Sequence, residues 1–342
     1  MKKIKYASPT ITEEDIRAVG EVLRSGNITQ GAKVNEFERA IAKYVGAKYA
    51  VAFNSATSGL VAAYSSLGWG PDTKVTTHPI SFVATANAAK ALGCKVDFQD
   101  RNRIVGENVI PVHYAGRPVE YYGNDSVVED AAHALGSSKD GKMVGSCVES
   151  DICVFSTHAI KNITTGEGGV ATTQRKELYE YLKMFRNHGR DETGCVFLGY
   201  NLRMTDFQAA LGLSQLKRIN TMRDQREEYF EYYNTVLKGY VEVPRPRVES
   251  TFWHLYPVGV KGDRDALRKY LHRRGIETQV HYRPIYLEPY YQGLGFEKGL
   301  CPKAEAYWET TLSLPMHNGL TRGDLEHVTD SVRHWIGKHV KG

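Results

Sequence analysis

From Tyr49 to Gly136 the chain alternates short apolar runs with longer helical ones, and few folds accommodate that order. "YAVAFN" leads into "SATSGLVAAYSSLG" and "KVTTHP" into "SFVATANAAKALG"; "KVDFQD", "NVIPVHYAG" and "SVVEDAAHALG" follow. Strand-length runs separated by helical stretches must be covered on both faces, so the pattern predicts an α/β chain with a mainly parallel central sheet. Ligands of such sheets bind at the carboxyl ends of the strands, where the loops here carry polar and glycine residues. Ahead of the sheet, "TITEEDIRAVGEVLRSG" sets Thr12 three residues before Asp15 and spaces Ile16, Val19 and Leu23 along one helical face. Thr205 to Tyr233 reads as one long helix, with Phe207, Ala210, Leu213, Leu216 and Ile219 in a stripe that can bridge two domains. From about Val243 the order changes to "FWHLYPVGV", a helix in "DRDALRKYLHRRG", a strand in "IETQVHY" and a last helix in "TRGDLEHVTDSVRHWIGKHV". The expected division is a large domain over residues 1–240 and a smaller C-terminal α+β domain over 241–342.

A length of 342 residues suits that division, and a net charge of +5 with no lysine or arginine block argues against nucleic acid as a partner. Five cysteines form no C-x-x-C pair and no zinc spacing, so neither a complete disulfide framework nor a metal site is expected, and a reducing cytoplasm is. No apolar run reaches the 18 residues of a membrane span, so the chain is read as soluble and without a membrane partner.

Four polar clusters fall at the predicted carboxyl edge. In "FNSATSGL" a strand ends at Asn54 and a helix begins near Ser58 or Gly59; the hydroxyls of Ser55, Thr57 and Ser58 serve either as caps or as a phosphate cradle beside free N–H groups. In "SVVEDAAHALGS" Asp130 either caps a following helix or faces a pyridine nitrogen and keeps it protonated, with His133 one turn on. In "THPISFVATANA" Phe82 is either a core residue or a ring that stacks on a flat heterocycle. In "VFSTHAIKNITTGEGGVATT" Lys161 is either solvated decoration or an amine cornered by a glycine-rich turn, where desolvation makes it nucleophilic. Taken together and in this order, they are the parts that hold pyridoxal 5'-phosphate: an amine for its aldehyde, a helix end for its phosphate, a carboxylate for its ring nitrogen and an aromatic for its face.

These segments, with "ITQGAKVNEFERAIAKYVGAKYA", "FRNHG", "GYNLRMTDFQAALGLSQLKRI", "VHYRPIYLEPYY" and "LSLPMH", make the chain resemble the sugar-nucleotide aminotransferases of the pyridoxal-phosphate-dependent transferase fold type I, the DegT-like family. Within it, "FNSATS", "PISFVATAN", "VHYAG", "HALGS" and "QVHYRPIY" are most similar to the branch that aminates a UDP-linked 4-keto-6-deoxy-N-acetylhexosamine in pseudaminic acid biosynthesis. The resemblance implies that Lys161 is the Schiff-base lysine, Asp130 the pyridinium partner, and Phe82 the stacking aromatic. It places His133 by the 3'-oxygen of the cofactor, Thr57, Ser58 and Ser156 on its phosphate, and Asn201 on the phosphate of a neighbouring subunit. A homodimer with shared active sites follows. Tyr6, Thr29, Gln30, Gly31, His281 and Arg283 fall where relatives contact the nucleotide sugar. The implied reaction moves an amino group from glutamate, held meanwhile as pyridoxamine 5'-phosphate, to the C4 ketone of the sugar with ping-pong kinetics. Alternatives are another UDP- or dTDP-linked 4-keto or 3-keto sugar as acceptor, a dehydratase, against which a lysine rather than a histidine at 161 speaks, and a non-catalytic binding protein of the same fold.

One departure stands out. Relatives carry a helix after the strand matching "KVDFQD" and another before the strand matching "SVVED", but "RNRIVGE" and "RPVEYYGND" are too short for either. The strands are expected to remain while the covering helices are lost.

Overall fold

The computed structural model of the chain describes residues 3–101, 103–245 and 250–340. In chain order its first half runs α1 (Glu13–Ser25), α2 (Ala32–Val45), β1 (Tyr49–Phe53), α3 (Ala56–Ser66), β2 (Lys74–Thr77), α4 (Ala84–Ala91), β3 (Lys95–Phe98), β4 (Ile104–Ile110) and β5 (Tyr121–Asp130). A small hairpin, β6 (Ser138–Lys139) and β7 (Lys142–Met143), precedes β8 (Ile152–Ser156), β9 (Gly169–Thr173), α5 (Lys176–Phe185), α6 (Asp206–Leu216) and α7 (Ile219–Leu237). The last stretch comprises β10 (Tyr256–Gly259), α8 (Arg264–Arg273), α9 (Pro289–Gln292), α10 (Pro302–Thr310), β11 (Thr311–Leu314) and α11 (Arg322–His339).

Seven strands form the central sheet in the order β1-β9-β8-β5-β4-β2-β3. From β8 to β3 every neighbouring pair is parallel, and β9 alone runs antiparallel to both its neighbours. Successive residues of the inner strands face opposite cores. Cys153 and Phe155 join Ala50, Ala52 and Val170 on one face, whereas Ile152 and Val154 join Val51, Phe53 and Ala171 on the other. That is why these runs are apolar at every position rather than at alternate ones. A third cluster gathers Phe230, Tyr233, Trp253, Leu312, Val328 and Trp335 around the β10–β11 pair, and Phe230 lies flat on Trp253 at 3.8 Å.

The two short connections hold no α-helix, as expected from their length, and a single 3₁₀ turn (Tyr114–Gly116) links β4 to β5. In place of helices, β4 and β5 bend sharply together. A Cβ on Gly106 would stand 3.3 Å from Val109, and one on Gly123 2.5 Å from Val127, so each strand curls back toward itself where it lacks a side chain. The bend brings Ile104 into a small apolar cluster with Val109 and Val127.

Four expectations need correction. The long helix from Thr205 is two, because Arg218 leaves helical geometry (φ −116°, ψ 15°) and donates to buried Asp15 at 2.5 Å and to the Thr10 carbonyl at 3.0 Å. The helix after β1 begins earlier, at Ala56, since the Ser55 hydroxyl caps it by accepting from the Ser58 N–H. No helix follows Asp130. Residues 132–136 are turns, and the Ser137 hydroxyl bonds to Gly116 O and Phe252 N. The strand read in "IETQVHY" is reduced to bridges from Ile276 to Ile4 and from Gln279 to Ser313.

Candidate active site

Lys161 stands in the loop between the paired strands β8 and β9. The neck of that loop is closed by Thr157, whose N–H donates to Gly168 O, whose carbonyl accepts from Thr165 N, and whose hydroxyl meets that of Thr165 at 2.7 Å. Asn162 ties the loop to the next segment by donating to Leu135 O and His133 O. Anchored on both sides, the loop holds Lys161 half-buried. Burial pushes its pKa down to about 8, with Asp130 pulling the other way.

Asp130 ends β5 and is itself buried. Its carboxylate accepts from the Thr85 hydroxyl at 2.6 Å and from Ala132 N at 3.1 Å. Lys161 and Asp130 attract one another but do not close to ion-pair distance. A buried carboxylate and a half-buried amine that do not join are each left able to meet a further group. His133 lies near the amine. Its Nδ1 accepts from Ala115 N at 3.2 Å, so the proton resides on Nε2, which lies 3.3 Å from the Tyr282 hydroxyl. Burial and the nearby Lys161 keep this imidazole neutral. The His254 ring lies 4.3 Å from it, likewise neutral through burial. Phe82 stands 6.2 Å from the Tyr282 ring and is 59% exposed, whereas His133, His254 and His281 are buried and Tyr282 is half-buried. An open phenylalanine face beside a lysine and a carboxylate offers a stacking surface.

The phosphate-cradle candidates gather at the start of α3. The Ser58 hydroxyl donates to Asn54 Oδ1 at 2.7 Å, and Thr57 is exposed. Ser156 reaches the same place across the sheet: it pairs with Gly169, and a Cβ on Gly169 would lie 2.5 Å from Ala56 N. Only a glycine lets β9 approach the first turn of α3 so closely.

The substrate candidates divide. His281 joins the pocket, its Nδ1 2.9 Å from the Ser313 hydroxyl and its pKa pushed down to about 3 by burial and by Lys161. Tyr6 lies against His281 with ring centroids 5.9 Å apart. Arg283 stacks over Trp308 at 5.6 Å, with its Nε buried and unbonded. Thr29, Gln30 and Gly31 are held elsewhere, at the start of α6: Asp206 accepts from Gly31 N and Val34 N at 2.9 Å, and its own N–H donates to Thr29 O. Asn201 is exposed and bridges to Asn187, next to the Leu202 carbonyl that receives Asn54 N. Thr85, Tyr282, His254 and Tyr114 were not singled out in the sequence. Thr85 lies one helical turn after Phe82 and Tyr282 beside His281, but no periodicity tells which way either points.

Residues 9–333 match the DegT/DnrJ/EryC1/StrS aminotransferase family. The chain belongs to that family. This DegT-family chain is 36% identical over 368 residues to the UDP-4-amino-4,6-dideoxy-N-acetyl-β-L-altrosamine transaminase of Helicobacter pylori, with 97% of each covered. Its fold superposes on that of H. pylori PseC, an aminotransferase of pseudaminic acid biosynthesis, with a TM-score of 0.91, 34% identity, and 98% of this chain and 100% of PseC covered. Streptococcus pneumoniae Spr1654 in its PLP form gives the same TM-score at 27% identity, covering 99% and 100%. The architecture is thus fold type I, and the chain is a pyridoxal-phosphate-dependent sugar aminotransferase. The residues present fit the cofactor: the unjoined Lys161 and Asp130, the bare face of Phe82 and the hydroxyl-lined start of α3 each match one of its parts.

Proposed function

We propose that the enzyme transfers an amino group from glutamate to the C4 ketone of a UDP-linked 4-keto-6-deoxy-N-acetylhexosamine, the step that serves pseudaminic acid synthesis. The observation that carries the reading is the half-buried, deprotonation-prone Lys161 near Asp130 without pairing, in a chain similar over 97% or more of its length to transaminases of that sugar. Lys161 provides the amine that holds the cofactor, Asp130 the counter-charge for its ring nitrogen, Phe82 the cover of one ring face, and His133 the donor for its 3'-oxygen. Thr57, Ser58 and Ser156 hold its phosphate. When bound, pyridoxal phosphate supplies an aldehyde that condenses with amines and a ring that takes up the electron pair released at the reacting carbon.

The other work belongs to the chain. With a pKa of about 8, the Lys161 amine both takes up and gives back a proton near neutral pH, which suits a base that moves a proton between two carbons. Asp130, fixed by Thr85 and Ala132, cannot swing to neutralise Lys161, so each charge is kept for its own task. His281 and Tyr6 are assigned to the sugar, and the buried His281 imidazole, close enough to feel Lys161, helps keep water from that amine.

The same proposal includes a homodimer. Val196, Leu198 and Tyr200 are 50%, 73% and 47% exposed beside Asn201, an apolar surface that suits a partner subunit and would carry Asn201 to the partner's phosphate site. Thr29, Gln30, Gly31 and Arg283 are assigned to the nucleotide sugar on resemblance. All five cysteines are free thiols, which supports a cytoplasmic setting, and no helix among the described residues is long and apolar enough to cross a membrane.

The test is amination with glutamate across a panel of UDP- and dTDP-linked 4-keto and 3-keto sugars. The proposal expects kcat/KM highest for the UDP-linked 4-keto-6-deoxy-N-acetylhexosamine. Equal rates on all of them, or a preference for a dTDP sugar, would overturn it.

A further inference from the structure

His254 is buried, and its Nδ1 is shut off from solvent with no hydrogen-bond partner. An imidazole nitrogen left unbonded in the interior costs free energy, so the position of this ring is set by what packs around it and not by a bond of its own. It lies on His133, with ring centroids 4.3 Å apart and planes inclined by 40°, against 6.2 Å from His133 to each of the Tyr114 and Tyr282 rings.

The backbone around the two histidines is stitched together. Ala115 N donates to His133 Nδ1 at 3.2 Å, and Ala115 O accepts from His254 N at 2.9 Å. One residue thus fixes both, and it does so in the left-handed region (φ 59°, ψ 11°), which an alanine keeps only where its surroundings over-determine it. Gly116 continues the turn at φ 95°, where a Cβ would stand 2.2 Å from Phe252 O. The Ser137 hydroxyl spans Gly116 O and Phe252 N, and the Asn162 amide, next to Lys161, donates to His133 O and Phe252 O. Segments far apart in sequence therefore converge on the orientation of one imidazole. The charged and titratable groups that face His254 are Lys161, Arg226, His133 and His281, all basic. Burial and these neighbours keep His254 neutral, so it adds no charge beside the Lys161 amine.

We propose that His254 is a positioning residue: its flat, uncharged ring and the Ala115 turn hold the His133 imidazole so that the Nε2 proton stays directed toward the Tyr282 hydroxyl and the 3'-oxygen of the cofactor. This role rests on the place given to His133 above and needs neither the sugar nor the dimer.

The test is a pH titration of the visible absorbance band of the pyridoxal-phosphate-loaded enzyme, with no sugar present. It compares the wild type, His133→Phe, His254→Ala, His254→Phe and the double variant His133→Phe/His254→Ala, with thermal melts to confirm folding. A donor on the 3'-oxygen draws charge from it and lowers the pH at which the band titrates, so losing the donor raises the midpoint. His133→Phe is expected to raise it by about one pH unit, and His254→Ala by about half a unit. The double variant should match His133→Phe alone, because His254 acts through that ring. His254→Phe, which keeps a flat neutral ring on His133, should titrate with the wild type. A general loosening of the fold would lower the melting temperature and leave the midpoint in place. Equal shifts in His254→Ala and His254→Phe, or additive shifts in the double variant, overturn the proposal. A shift in His133→Phe with none in His254→Ala removes the role of His254 and leaves that of His133 standing. If His133→Phe itself titrates like the wild type, the place given to His133 fails and this role falls with it.

Discussion

Replacing Lys161 with methionine should make the apoprotein more stable while abolishing turnover. Burial lowers the lysine from its ordinary 10.5 to about 8, and at about 1.36 kcal/mol per pH unit this amounts to roughly 3 kcal/mol of strain on the charged form. The lysine is protonated in both folded and unfolded chains below pH 8, so the full cost is present at pH 7. Between pH 8 and 10.5 the unfolded chain still binds the proton and the folded one does not, so stability rises with pH and the cost fades to about 1 kcal/mol at pH 10. Methionine fills a similar volume and carries no charge. Denaturant unfolding of the two apoproteins should show Lys161→Met ahead by up to about 3 kcal/mol at pH 7 and by about 1 kcal/mol at pH 10. A variant no more stable than wild type at pH 7, or a gap that does not shrink with pH, would refute the view that this amine is held desolvated.

Further outcomes follow from neighbouring contacts. Thr85→Val removes one of the two hydrogen bonds that fix the Asp130 carboxylate, and at about 1.5–3 kcal/mol for a bond to a charged group kcat should fall at least tenfold with KM for the sugar nearly unchanged in steady-state assays. Gly169→Ala places a Cβ 2.5 Å from Ala56 N and must shift the start of α3, so the dissociation constant for pyridoxal phosphate, read by fluorescence titration, should rise tenfold or more. Glu38 accepts from Ala52 N at 2.9 Å and pairs with buried Arg186; Glu38→Gln leaves that guanidinium uncompensated and should cost about 3 kcal/mol in denaturant unfolding.

The sheet was legible because its strands are buried on both faces and therefore apolar at every position, as in "ICVFS" of β8. The Lys161 corner was legible too, since a lysine between two such strands and a glycine-rich turn has few places to go. What escaped the sequence depended on contacts between distant segments. The break at Arg218 is made by Asp15, some 200 residues earlier, and helical periodicity runs straight through it. The turns after Asp130 are fixed by the backbone of Gly116 and Phe252, whereas the local pattern "DAAHALG" favours a helix. Thr85 and Tyr282 belong to the site through hydroxyls on Asp130 and His133, contacts between segments far apart in sequence. The Thr157 hydroxyl on that of Thr165, which closes the neck of the lysine loop, is likewise a contact that no local pattern announces.

Borohydride reduction of the pyridoxal-phosphate-loaded enzyme followed by peptide mass spectrometry tests most directly whether the Lys161 amine binds the cofactor aldehyde covalently. A single phosphopyridoxyl label on the peptide that contains Lys161, lost in Lys161→Met, is the predicted result. A label on another lysine, or none at all, would contradict it.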